Sequence, residues 1–149
     1  MMPAPGEGKR GEAGYLGYLL RQAAHANRLK MEAILADLAV TPPQFAVLTM
    51  IAAYPGCSNA DIARLSLMTP QTASFIVANL LKAGHLARKP HATHGRIHML
   101  SLTDMGAALL GAARERVRSH EAALSAGLDA GEEAIVRRWL ARQAEGIDD

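Results

Sequence analysis

With 149 residues, half of them hydrophobic and only six aromatic, the chain has room for one domain whose core is built from Ala, Leu, Ile, Val and Met. Such a composition favours helix, and the single cysteine, Cys57, excludes an internal disulfide and fits a reducing cytoplasm. No apolar run approaches the ~20 residues that span a bilayer, and Met1 to Gly11 lacks the apolar core of a signal peptide. The net charge of +2 conceals an asymmetry. Between residues 60 and 100, Arg64, Lys82, Arg88, Lys89 and Arg96 face one acid, Asp61, a net of +4 that leaves −2 for the rest. Four of the six histidines lie in the same window. Basic character so localised predicts one polyanion-binding face rather than a generally sticky surface.

Taken in order, residues 1–11 are rich in Pro, Gly and charge and read as a disordered lead-in. A long helix is predicted over 12–38, with Tyr15, Leu19, Ala23, Ala26, Leu29 and Ala33 as its stripe. Thr41-Pro-Pro-Gln44 is a capping box with Pro at the first helical position, and Phe45, Leu48, Thr49 and Ala52 form the inner face of the helix it opens. Tyr54-Pro-Gly56 ends that helix. Ser58-Asn-Ala-Asp61 is a second capping box, Ser66-Leu-Met68 a tight turn, and Thr69-Pro70 opens the next helix. Ala73, Ile76, Val77 and Leu80 give that helix a buried stripe, and Gly84 stops it. Its other face carries Gln71, Thr72, Ser74, Phe75 and Asn79, with no acid.

Two helices joined by a short turn make a helix-turn-helix, a weak signal alone. Leu86–Lys89 and Arg96–Leu102 then read as two short strands around a turn from Pro90 to Gly95. A helix with a polar outer face followed by a hairpin is a winged helix. Thr103-Asp104 opens a long helix to about Ser125, and Asp129-Ala-Gly-Glu132 a last one through Ile135, Trp139 and Leu140. The flanking helices carry more apolar surface than one winged-helix core can cover, which predicts dimerisation. The fold expected is mainly α with a small β-hairpin. A winged helix-turn-helix over 41–103 lies between dimerisation helices at 12–38 and 104–149.

These residues resemble the MarR family of winged-helix transcription regulators. Thr41-Pro-Pro-Gln-Phe-Ala-Val-Leu48 is similar to its second-helix signature, and Tyr54-Pro-Gly-Cys-Ser-Asn-Ala-Asp-Ile-Ala63 to the stretch that opens its third helix. Thr69-Pro-Gln-Thr-Ala-Ser74 resembles the start of its recognition helix, Leu80 to Leu86 that helix's exit, and Ser101-Leu-Thr-Asp-Met-Gly106 the entry to the dimer helix. The resemblance runs from about residue 12 to 145. His94-Gly95-Arg96 stands where the family carries Asp-x-Arg in the wing, and Phe75 where Arg is common.

The resemblance implies a homodimer that binds pseudo-palindromic double-stranded DNA and represses transcription, released by a small aromatic or phenolic acid. The alternative is a winged helix that docks a protein partner. Ser58, Thr69, Gln71, Thr72, Ser74, Phe75 and Asn79 are the candidates for contact in or beside the major groove, Phe75 through a thymine methyl. Lys82, Arg88 and Lys89 are placed for phosphate, and His94 and Arg96 for the wing, where a guanidinium suits a narrow minor groove. Tyr15, Tyr18, Arg21, His25 and Arg28 on the first helix are the effector candidates. His91, His94 and His98 invite a zinc reading. No cysteine or carboxylate lies near to complete such a site, and strand positions alternate in facing, so phosphate contact is preferred. Cys57, beside a Pro-Gly turn and without a second cysteine, reads as packing rather than redox sensing. Asp61 and Asp104 read as cap residues, and no enzyme, metal or cofactor is expected.

Overall fold

The computed structural model describes residues 1–90 and 98–147. Its elements are α1 (Leu16–Leu35), α2 (Pro42–Ala53), α3 (Asn59–Leu65), α4 (Pro70–Lys82), β1 (Leu86–Pro90), β2 (His98–Leu102), α5 (Asp104–Ser125) and α6 (Ala130–Gln143). The strands pair antiparallel, with Leu86 opposite Leu102 and Pro90 opposite His98. Pro90, expected in the turn, is thus the last paired residue of β1. Among the described residues no single helix is long and apolar enough to cross a membrane.

The caps form as their spacing demands. Thr41 and Gln44, Ser58 and Asp61, and Asp129 and Glu132 close reciprocal capping boxes at the starts of α2, α3 and α6. Thr69 and Thr103 cap α4 and α5 by accepting from the N–H groups of Thr72 and Gly106. At the far end of α4, Gly84 takes φ +83. There the His85 N–H reaches the Leu80 carbonyl at 2.9 Å and the Gly84 N–H the Leu81 carbonyl at 3.0 Å, a Schellman stop.

Two apolar clusters hold the molecule. The larger joins α2, α3, α4, both strands and α5 through Val47, Leu48, Ile51, Ile62, Val77, Leu80, Leu100 and Leu110. The smaller joins the end of α1 to α5 through Met31, Leu35, Ala113 and Val117. Phe45 and Leu109 pack against both. Polar links between Asn27 and His120, at 2.6 Å, and between Asp37 and Arg116 reinforce the α1–α5 seam.

Several expectations need correction. The first helix begins at Leu16 rather than residue 12, and after Leu35 it tightens into a 3-10 turn, Ala36–Leu38, ended by Ala39 at φ +54. Residues 1–11, expected to be disordered, instead carry a 3-10 turn, Gly8–Arg10. It is tied to α1 where the Gln22 side chain donates to the Arg10 carbonyl at 3.1 Å. The stripe read along α1 is largely uncovered: Tyr15, Ala23, Ala26, Leu29 and Ala33 are exposed, and the helix buries Met31 and Leu35 instead. In α2 the inner face is wider than expected. Val47 and Ile51 are buried with Leu48, because α1, α3, α4, α5 and β2 all pack around this helix. Such a central helix has no solvent stripe for periodicity to reveal.

Candidate nucleic-acid interface

α4 divides into two faces. Ala73, Ile76, Val77 and Leu80 are buried in the main core, while Gln71, Thr72, Ser74, Phe75 and Asn79 are all exposed. No acid interrupts the exposed face from Thr69 to Lys82. Lys82 lies in its last turn, and Arg88 and Lys89 follow on β1, both exposed. Among the described residues none of these three cations forms an ion pair. A cation without an intramolecular partner is available to phosphate, and displacing its counterions makes binding salt-dependent.

The polar residues divide by what already occupies them. Thr69 spends its hydroxyl on the cap of α4 and on Thr72, whose Oγ1 lies at 3.0 Å. Ser58 is half-buried and accepts from the Asp61 N–H at 3.2 Å, so its first duty is to start α3. Ser74, though exposed, lies against α3, its hydroxyl 3.5 Å from the Asn59 side-chain nitrogen. Among the described residues no side-chain hydrogen bond engages Gln71 or Asn79. Phe75 is 69% exposed. His94 and Arg96, and with them the tip residues His91 and Thr93, lie outside the described residues.

The turn between α3 and α4 has a feature that the sequence concealed. Leu67 takes φ +57, and the Met68 N–H reaches the Ala63 carbonyl at 3.0 Å, so α3 ends in a Schellman-type turn with leucine in glycine's usual place. This costs roughly 1 kcal/mol. Leu67 is 91% exposed. The turn over Ser66–Met68 was expected from the sequence, but with no glycine or asparagine in it the left-handed residue was not.

The electrostatics around α3 follow from its cap. The Ser58 backbone N–H, then the Ser58 hydroxyl and the Arg64 guanidinium, hold the Asp61 carboxyl below its ordinary value. The ion pair with Arg64, at 2.7 Å, occupies the one acid of the basic window. Cys57 is buried among core side chains. Burial pushes its thiol up, and the charge of Asp61 adds to this against an opposing backbone hydrogen bond. A thiol held protonated in a packed site is a poor nucleophile. Its carbonyl accepts the Leu100 N–H at 2.9 Å, and this fixes β2 to the loop before α3.

The effector candidates gather only in part. Tyr18, Arg21 and His25 line an open groove of about 300 Å³ together with Gln22 and with Arg10, which sequence reasoning missed because the lead-in was expected to be disordered. Arg21 sits over the Tyr18 ring, 6.0 Å from its centroid. Tyr15 lies apart and is 89% exposed, and Arg28 is committed to Glu32 at 2.8 Å. A second groove, of about 680 Å³, runs between the start of α2 and α4 and is lined by Pro42, Pro43, Gln44, Phe75 and Asn79. Neither groove was legible from periodicity.

Comparison with known proteins accords with this arrangement. A family model described as the MarR family matches residues 40–97. The HTH-type transcriptional repressor Rv2887 of Mycobacterium tuberculosis (strain ATCC 25618 / H37Rv) is 35% identical over 125 residues, covering 84% of this chain and 90% of that protein. Among solved structures, the transcriptional repressor CouR bound to a 23-mer DNA duplex is similar with a TM-score of 0.81. Its identity is 29%, over 93% of this chain and 96% of CouR. The Mycobacterium tuberculosis MarR family protein Rv2887 in complex with salicylic acid gives a TM-score of 0.70 at 33% identity, over 89% and 98% of the two chains. The identity and coverage shared with the repressor Rv2887 establish that the chain belongs to the MarR family of transcription regulators.

Proposed function

We propose that the protein is a homodimeric repressor that binds a pseudo-palindromic DNA duplex, with α4 of each protomer entering a major groove. The observation that carries this reading is the exposed, acid-free face of α4, flanked by Lys82, Arg88 and Lys89. The buried stripe behind it holds the helix rigidly on the core. Gln71, Thr72, Phe75 and Asn79 then meet base edges, and the cations meet phosphate. His94 and Arg96 belong to the wing in this reading. The similar repressor CouR was solved on a DNA duplex, which supports the same docking here.

A second copy is the natural cover for the flanking helices. None of the residues of α6 is buried; Ile135, Val136 and Leu140 are exposed apolar surface, as are Tyr15 and Leu16 at the start of the first helix. Two-fold symmetry of the protein then matches that of the operator. An effector reading follows from the Arg10–Tyr18–Arg21–His25 groove, whose cations and phenol suit a small aromatic acid. A similar family member was solved with salicylic acid. Such a ligand shifts the dimer away from the DNA-competent arrangement only through unequal affinity for the two states.

Duplex binding measured across salt tests the proposal. Affinity should fall steeply between ~50 and ~200 mM salt, as release of counterions from several phosphates requires. No salt-sensitive binding to any duplex would favour a protein-docking role for the winged helix instead.

A further inference from the structure

One row of side chains runs along the exposed face of α4: Gln71, Phe75 and Asn79, at i, i+4 and i+8. Four residues advance a helix by about 6 Å, so neighbours in the row lie roughly two base-pair steps apart. The chemistry of the row is selective. A Gln or Asn carboxamide offers one donor and one acceptor, matching N6 and N7 of adenine, whereas guanine is read by Arg or Lys. α4 contains no arginine, and its single lysine, Lys82, is its last residue, beyond the row.

Phe75 occupies the centre of the row, 69% exposed. It has no hydrogen-bonding atom to offer a phosphate or a polar base edge. Leaving a phenyl ring in water is unfavourable, so a bound duplex stabilises it only by supplying apolar surface. In the major groove the apolar group that a base pair presents is the 5-methyl of thymine. Resting on the reading that α4 enters the major groove, we infer that the core of each half-site is made of A·T pairs. Phe75 is the specificity-determining residue that packs on a thymine methyl, and Gln71 and Asn79 read adenines on either side.

The test uses the full chain and duplexes selected from random DNA at fixed salt. Each thymine of the selected half-site is replaced in turn by deoxyuridine, which removes the methyl and leaves every hydrogen-bonding group in place. The expected result is an affinity loss of about fourfold at one or two positions per half-site, the factor equivalent to burying one methyl-sized group at about 0.8 kcal/mol. Phe75→Ala should bind the thymine and deoxyuridine duplexes equally. Phe75→Leu should retain the preference, and thermal melting of both variants should match the parent, since the side chain lies outside the core. Selection of G·C cores, or an unchanged deoxyuridine penalty in Phe75→Ala, overturns the inference while duplex binding persists. Loss of all duplex binding by the parent chain overturns the reading beneath it, and the inference with it.

Discussion

α4 and α6 are both amphipathic helices opened by a side-chain cap, yet they end in opposite situations. The apolar stripe of α4 is entirely covered by its own chain, with Ala73 and Val77 at 0% exposure. No residue of α6 is buried, and its apolar side chains stay in solvent, with Ile135 at 59% exposure and Leu140 at 47%. A covered stripe makes a rigid platform, so α4 can spend its other face on recognition. An uncovered stripe leaves apolar surface in water and so favours a partner. Periodicity shows that a stripe exists; it does not say which surface meets it.

Truncating a leucine in each helix separates the two situations. Leu80→Ala in α4 should cost about 3 kcal/mol in chemical denaturation, as expected for a fully buried leucine. Leu140→Ala in α6 should leave the melting of the isolated protomer nearly unchanged but raise the dimer dissociation constant in sedimentation. Equal destabilisation by both at a concentration where the protein is monomeric would erase the distinction.

A second, somewhat smaller effect concerns how the covered centre is joined to the flanking helices. A Cβ on Gly106 would lie 1.9 Å from the His85 carbonyl oxygen, a backbone atom that already accepts the Thr103 N–H at 3.1 Å. Gly106→Ala must therefore push the start of β1 away from α5, at a cost of about 2 kcal/mol in urea unfolding. A melting temperature equal to the parent's would show that this joint is softer than its geometry suggests.

Ser58→Ala should cost about 1 kcal/mol by removing the cap of α3. An affinity loss without any stability loss would return Ser58 to the list of DNA contacts. Its partner Asp61 adds a pH signature. Because its folded value lies below the ordinary 3.8, its contribution is present above that value and is lost as pH falls through the lowered one. Acid titration of Asp61→Asn should thus converge with the parent at the acid end and diverge above it. The smallest effect is a gain: Leu67→Gly relieves a left-handed leucine and should stabilise by about 0.5 kcal/mol after the added chain entropy is subtracted. Unaltered or lower stability would mean that the exposed leucine has a packing partner, such as the second protomer.

Caps, turns and the acid-free face were legible because each is a local matter. A cap bonds a residue to one three places on, and a stripe needs only a period, so Thr41, Ser58, Thr69, Thr103 and Asp129 announced their helices from the chain itself. The exposed face of α4 was readable by the same means, from what the helix lacks as much as from what it carries. The tertiary structure decided the rest. It packed α1, α3, α4, α5 and β2 around α2, confined the buried part of α1 to Met31 and Leu35, and drew Arg10 back against Gln22. It also placed Leu67 and Ala39 in left-handed conformations that no turn residue advertised. These features depend on which distant surfaces meet. Such meetings are set by the summed packing of several elements rather than by any one stretch of sequence.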